Sequence, residues 1–322
     1  MIILITAIGS FSADCVIKTL KLKGHKVIGC DIYPAVWHAV SKDCDKVYQA
    51  PFATNEKEYI EFLLKVSESE GVNYIVPLTD LEIDVINRHR DIFKDTSVSV
   101  LMQSSDCLKI ARNKLAMYEL FKESKIVSLP YSLSSENLDM SFPLPAIAKP
   151  VNGRSSEGLM KITTYEQLSN VSKFSNYIVQ EQLAGSVYTV DYVRDKMGND
   201  FAVPREELLR TKNGAGTTVR IVNDNHLNSI VSYIGNKLDI VGCVNMEFIF
   251  NEDKYYLIDI NPRFSAGVAF SNFVGFDMVT SHINAFEGKA INSKVEYSEQ
   301  IITKRYKEEL LWKLLIKGDG RK

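Results

Sequence analysis

The chain has no apolar run of membrane-spanning length, no basic leader, no Cys-x-x-Cys and almost no net charge. Each absence removes a class of protein. A helix that crosses a bilayer needs about 20 apolar residues in succession, and the opening Met-Ile-Ile-Leu-Ile-Thr-Ala-Ile-Gly lacks the positive n-region of a signal peptide. Export and membrane insertion are therefore not expected, and the opening stretch reads as a buried first strand. The five cysteines, Cys15, Cys30, Cys44, Cys107 and Cys243, are odd in number and widely spaced. Reduced thiols in a cytoplasmic protein account for them better than a disulfide framework. A formal charge of −2 with both signs mixed leaves no electrostatic footprint for nucleic acid. No Gly-Lys-Ser/Thr opens a helix, so there is no Walker A loop, and no Ser, Cys or His constellation stands ready to carry a covalent acyl group.

What is present fills two or three closely packed subdomains, because 322 residues exceed one small core. Over residues 1–100 strand and helix patterns alternate, as in a parallel sheet covered on both faces. Strands are expected at 2–6, 26–31 and 73–77, with helices at 13–23, 56–70 and 82–90. Ile8-Gly9-Ser10 after the first strand is half of a dinucleotide loop, and Asp31 ends the second strand where a ribose-binding acid would stand. The full Gly-x-Gly-x-x-Gly is missing, so a nicotinamide oxidoreductase is the lesser reading, and a strand-end Asp is ordinarily a turn residue. Residues 106–124 read as one amphipathic helix carrying Arg112, Asn113 and Lys114. The Pro-rich stretch 143–145 reads as a boundary. A strand at 146–149 ends in Lys149 and runs into Pro150-Val151-Asn152-Gly153-Arg154-Ser155-Ser156-Glu157-Gly158. Amides of such a loop turn toward an anion, and the strand-end Lys adds a point charge. A plain surface turn is the bland alternative.

The most informative segments come late. Val244, Met246, Phe248 and Phe250 alternate with Asn245 and Glu247, and on the following run Tyr256, Ile258 and Ile260 alternate with Asp259 and Asn261. The pair predicts a β-hairpin. A three-residue loop (Glu252, Asp253, Lys254) or a five-residue one puts Glu247 opposite Asp259, whereas a four-residue loop separates their faces. A single acid on a strand is ordinarily a solvated side chain. Two acids facing each other, followed directly by Asn261-Pro262-Arg263, repel unless a cation sits between them. Hard oxygen ligands beside a guanidinium suit Mg²⁺ (or Mn²⁺) carrying a nucleotide polyphosphate.

The string from Asn245 to Arg263 resembles the C-terminal metal signature of the ATP-grasp superfamily, in the branch of the carbamoyl phosphate synthetase large subunit and the small carboxylate–amine ligases. Asp259 stands where that branch usually has Glu, which shortens the ligand by about one methylene. The resemblance implies an α/β fold: an N-terminal parallel α/β sheet domain (pre-ATP-grasp) followed by two α+β ATP-grasp subdomains, with bounds near 1–105, 106–184 and 185–322. It implies metal ligation by Glu247, Asp259 and Asn261. Nucleotide contacts fall to Lys114, Lys149, Ser155, Ser156, Gly158 and Gln180, to the main chain of Glu181 to Leu183 at the adenine edge, and to Arg205. Arg263, Lys149 and Arg220 become the catalytic candidates, with Arg263 on the oxyanion. Residues 9–11 with Thr79, Asp80 and Glu82 would line a substrate cleft. Val187 departs from the family, which carries an acid there for the ribose. The implied activity joins a small-molecule carboxylate and an amine at the expense of ATP through an acylphosphate; a non-catalytic nucleotide-binding relative is the alternative. A homodimer is left open, and neither nucleic acid nor a membrane is expected as a partner. Residues 304–317 read as a short helix before a disordered polar tail.

Overall fold

A computed structural model describes residues 1–153, 157–212 and 214–304. The expected helix at 304–317 and the tail, like Ser155 and Ser156, lie outside the described residues. The chain divides into a first unit built on Met1–Leu101 and a second, Met102–Thr303. Among the described residues no helix is long and apolar enough to cross a membrane. All five cysteines are free thiols.

The first unit follows the alternating pattern. Its order is β1 (Ile2–Ile5), α1 (Ala13–Leu22), β2 (Lys26–Asp31), β3 (Lys46–Gln49), α2 (Glu56–Glu70), β4 (Tyr74–Val76), α3 (Asp80–Arg88), α4 (Arg90–Lys94) and β5 (Ser99–Val100). The strands form a parallel sheet in the order β3-β2-β1-β4-β5. Ile3, Leu4, Ile5, Val27, Ile28 and Ile75 are completely buried, as a strand covered by helices on both faces requires. Helix α2 stops at Gly71, whose φ of 66° is the left-handed cap an L side chain resists.

The loop after β1 does not form a dinucleotide cradle. Gly9 donates its N–H to Asp31 Oδ2 at 2.9 Å, and His38 Nε2 lies 3.1 Å from Asp31 Oδ1. A Cβ on Gly9 would stand 2.5 Å from the His38 ring, so the loop packs tightly on that side chain. Both oxygens of Asp31 are engaged by its neighbours, which speaks against a ribose-binding role. Glu82, expected at a cleft, is instead buried: it accepts hydrogen bonds from Thr6 Oγ1 (2.8 Å), Thr79 Oγ1 (2.7 Å) and Tyr59 Oη (2.8 Å).

The second unit holds two antiparallel sheets. It begins with α5 (Ser105–Ala111) and α6 (Lys114–Phe121), followed by β6 (Ser132–Ser134), β7 (Ala146–Pro150), β8 (Met160–Ile162), α7 (Tyr165–Val171) and β9 (Tyr177–Glu181). It continues with β10 (Ser186–Arg194), β11 (Asp200–Arg210), β12 (Gly216–Ile221), α8 (Asn225–Lys237), β13 (Gly242–Asn251), β14 (Lys254–Asn261), α9 (Val268–Phe273), α10 (Met278–Phe286) and β15 (Gln300–Thr303). The sheets run β6-β9-β7-β8 and β14-β13-β10-β11-β12-β15, and the chain passes from one to the other between Glu181 and Ser186.

Three expectations need correction. The single helix at 106–124 is two, because the Asn113 side chain accepts the Ala116 N–H and so starts a new helix at Lys114. The prolines at 143–145 are no domain boundary; they lead into β7 inside the smaller sheet. Past residue 290, where the sequence signals fade, β15 adds an edge strand to β12.

The larger sheet buries one face under α8. Val190 and Tyr192 of β10, Val244, Met246 and Phe248 of β13, and Leu257 and Ile260 of β14 pack with Leu227, Ile230, Val231 and Ile234 of the helix. Side chains alternate across a strand, so the residues between them share the other face. That face is polar.

Candidate active site

Cross-strand register assembles the site in three rows. Thr189 pairs with Glu247, which pairs with Asp259; Asp191 pairs with Asn245, which pairs with Asn261; Val187 pairs with Ile249, which pairs with Tyr256. Three acids, two amides and a threonine therefore lie side by side next to an apolar row. The expected meeting of Glu247 and Asp259 occurs, but by another route. The hairpin turn is two residues, Glu252 and Asp253, both with positive φ (46° and 59°), as a primed turn demands. An even loop alone would set Glu247 opposite Ile258. A β-bulge at Ile258 inserts the odd residue, so Phe248 pairs with Leu257 while Glu247 pairs with Asp259. The bulge also exchanges faces. Tyr255 and Leu257 belong to the core, not Tyr256 and Ile258 as strict alternation had it.

The bulge also ties the hairpin to the smaller sheet. The carbonyl of Ile258 accepts from Lys149 Nζ at 3.2 Å, so the strand-end lysine of β7 reaches the hairpin that carries Glu247 and Asp259. Lys114 arrives from α6, whose first turn docks on the end of β7 through Lys114 N to Val151 O (3.1 Å). Its Nζ donates to the Gly153 carbonyl at 3.0 Å and lies 3.3 Å from Asp259 Oδ1. On the far side Arg210 pairs with Glu247 Oε2 at 3.1 Å. Each of the two acids thus has a cationic partner from the protein itself, so a bound cation is not the only group that offsets their repulsion.

The electrostatics are those of a crowded, partly dry site. Burial pushes the Lys149 ammonium down to about 8, Asp259 pulls it back up, and Lys114 adds to the depression. Burial raises the Glu247 carboxyl above the ordinary range against the pull of Arg210, and Asp259 adds to the rise. Asn261 is oriented from both ends: its Nδ2 donates to Asn245 Oδ1 (3.3 Å), and its Oδ1 accepts from Arg263 (3.4 Å). Among the described residues no three His, Cys, Asp or Glu side chains form a metal group on their own. Two carboxylates and an amide oxygen still fit Mg²⁺, which binds through one or two carboxylates and completes its shell with phosphate oxygens and water.

Other candidates fall elsewhere. Arg220 pairs with Glu206 on the row of Tyr188 and Phe248, the face of the sheet opposite Glu247; its guanidinium bonds Glu206 at 2.9 Å. It is not brought to the carboxylates. Arg205 is on the site face but 1% exposed and engaged within the protein: NH1 to Asp191 (2.9 Å), Nε to Glu207 (3.2 Å) and NH2 to Ser265 Oγ (3.1 Å). Burial opposes its charge, but Asp191 and Glu207 outweigh that and hold its pKa above the usual value. Arg205 is a scaffold for the loop after β14, where Ser265 Oγ also accepts the Gly267 N–H at 3.0 Å. A Cβ on Gly267 would strike the guanidinium at 2.6 Å. Gln180 is buried and donates to Ser132 Oγ (2.9 Å), so it serves the smaller sheet. At the expected adenine edge, Glu181 and Gln182 give their N–H groups to Tyr131 O (2.9 Å) and Pro145 O (3.0 Å), so neither offers that donor to a base. Gly158 keeps φ at 70°, and a Cβ would meet Pro150 at 2.9 Å. Sequence reading missed Asp191, Glu207 and Thr189, and left Arg210 aside. The alternations Thr189-x-Asp191 and Arg205-x-Glu207 were the available signal.

Comparison with known proteins agrees with this geometry. Residues 111–267 match the ATP-grasp domain, and residues 3–101 match the PylC-like N-terminal domain. The second unit thus contains an ATP-grasp domain, and a PylC-like N-terminal domain precedes it. It is 20% identical over 296 residues to the arginine-specific large chain of carbamoyl phosphate synthase from Halalkalibacterium halodurans, covering 85% of this chain and 27% of that one. It thus spans about a quarter of that relative's length. Among solved structures it resembles the biotin carboxylase–βγ-ATP complex from Campylobacter jejuni, with a TM-score of 0.78 at 16% identity over 93% of this chain and 74% of that one. It also resembles N5-carboxyaminoimidazole synthetase from Staphylococcus aureus complexed with ADP, with a TM-score of 0.75 at 14% identity over 94% and 81%. At these identities the structures share the fold.

Proposed function

We propose that the protein is an ATP-dependent, ADP-forming carboxylate–amine ligase that makes an amide or peptide bond through an acylphosphate. The observation that carries this is the convergence of Lys149 and Lys114 on the Glu247–Asp259 row. Two ammonium groups beside two carboxylates on a sheet face suit a Mg-polyphosphate, whose metal takes the acids and whose oxygens take the lysines. The apolar row of Val187, Ile249 and Tyr256 beside it offers a surface for a base or ribose, and the valine leaves ribose hydroxyls without an acid at that position. The related synthetase with ADP and the related carboxylase with an ATP analogue support a nucleotide on this fold.

In this reading Glu247, Asp259 and Asn261 would hold Mg²⁺ (or Mn²⁺), which would supply charge neutralisation on the phosphates. Lys149 and Lys114 turn from Ile258, Gly153 and Asp259 toward phosphate oxygens. An oxygen of the substrate carboxylate attacks the γ-phosphorus, ADP leaves, and the acylphosphate forms. The amine then adds to the activated carbonyl, phosphate departs, and the amine's lost proton passes to solvent or phosphate. Arg263, held beside Asn261, stabilises the oxyanion of the tetrahedral intermediate. Positioning and electrostatics suffice, and no protein nucleophile is used.

The test is interception. Hydroxylamine in place of the amine, with the correct donor acid and Mg-ATP, should give ADP and a hydroxamate together, and Arg263→Ala should suppress both. A stable phosphorylated product inert to hydroxylamine would refute the ligase reading, as would the absence of any ATP turnover across a broad panel of acids.

A further inference from the structure

A cavity of about 480 Å³ opens at the edge of β11, and none of the carboxylate-site residues lines it. It exists because β12 pairs with β11 only from Arg205 onward, which leaves the opening residues of β11 without a strand on that side among the described residues. The irregular segment around Glu296 and Tyr297 lies along them instead, with Tyr297 Oη donating to the Ala202 carbonyl at 3.2 Å. Helix α8 contributes Asn228 to the wall.

The lining has one sign of charge. Asp200 and Glu296 are its carboxylates, Tyr192, Phe201 and Tyr297 its rings, and no Lys, Arg or His is among the lining residues described. Phe201 is held by stacking on Phe276, centroids 4.0 Å apart, and meets Tyr297 edge-on at 6.1 Å. An anion would be repelled here, and a neutral apolar molecule would strip water from two carboxylates without compensation. A cation with an apolar body answers these features: the carboxylates take its charge, and the rings of Phe201 and Tyr297 take its body.

We propose that this cavity is a second binding site, for a small organic ammonium ion with an apolar body. It does not depend on the ligase reading, since it uses neither the nucleotide nor Glu247 and its neighbours.

Isothermal titration of the full chain at pH 7 with benzylamine, benzyl alcohol and benzoate separates charge from shape. Benzylammonium should bind to one site at least about tenfold more tightly than the isosteric alcohol, and benzoate should not bind. Glu296→Gln and Asp200→Asn keep the shape, and the amide oxygen introduced by Asp200→Asn would still accept the Tyr192 hydroxyl; each should weaken benzylammonium roughly threefold or more. Glu247→Gln should leave its binding unchanged. The proposal is overturned if the alcohol binds as well as the amine, if benzylammonium does not bind, if a variant combining Glu296→Gln with Asp200→Asn folds and still binds like the parent, or if Glu247→Gln abolishes binding.

Discussion

Replacing Arg205 with Met should destabilise the second unit severely, and the size of the loss follows from what the guanidinium leaves behind. Asp191 is 1% exposed and the Glu207 side chain 2%; both are paired to Arg205, and Asp191 Oδ1 and Glu207 Oε2 already lack partners among the described residues. Met fills the volume but strands two buried carboxylates. Breaking a buried ion pair by removing one partner costs about 3 to 5 kcal/mol. For a unit of this size each kcal/mol shifts the melting temperature by about 2 to 4 °C, so calorimetry at pH 7.5 should show a drop of roughly 6 to 20 °C. Adding Asp191→Asn and Glu207→Gln should recover most of the loss, because the damage is stranded charge. A single Arg205→Met variant that melts within about 2 °C of the parent would refute the reasoning.

Lys149→Met should weaken ATP binding more than adenosine binding, since the lost group is a phosphate charge; equal losses in a fluorescence or calorimetric titration would mean that it only supports β7 through Ile258. Glu247→Gln should abolish Mg-dependent turnover while leaving the metal-free protein as stable as the parent or slightly more so at pH 7, because burial disfavours the ionised acid; retained turnover would dismiss Glu247 as a ligand. Glu82, held above the ordinary carboxyl pKa by burial and eased back by Thr79, Thr6 and Tyr59, penalises the first unit as pH rises through its folded pKa. Glu82→Gln should remove that component from a plot of stability against pH, and an unchanged slope between pH 4 and 7 would show that it carries none.

The sequence by itself determined the elements and the identity of the acids. Period-two alternation in 244–250 placed Asn245 and Glu247 on one face, and the alternating strand and helix patterns of the first hundred residues specified a parallel sheet, because side-chain periodicity is a local property of the backbone. Only the tertiary structure decided what those residues meet. The odd residue that brings Asp259 opposite Glu247 is a bulge at Ile258 and not part of the turn, since both arrangements satisfy the same spacing. The counter-charges arrive from Lys114 on α6 and Arg210 on β11, dozens of residues away. Arg205 and Arg220 read alike as charges near a glycine-rich turn, yet strand pairing buries one among two carboxylates and turns the other to the opposite face. Face and partner depend on register between distant strands, and no single strand encodes that register.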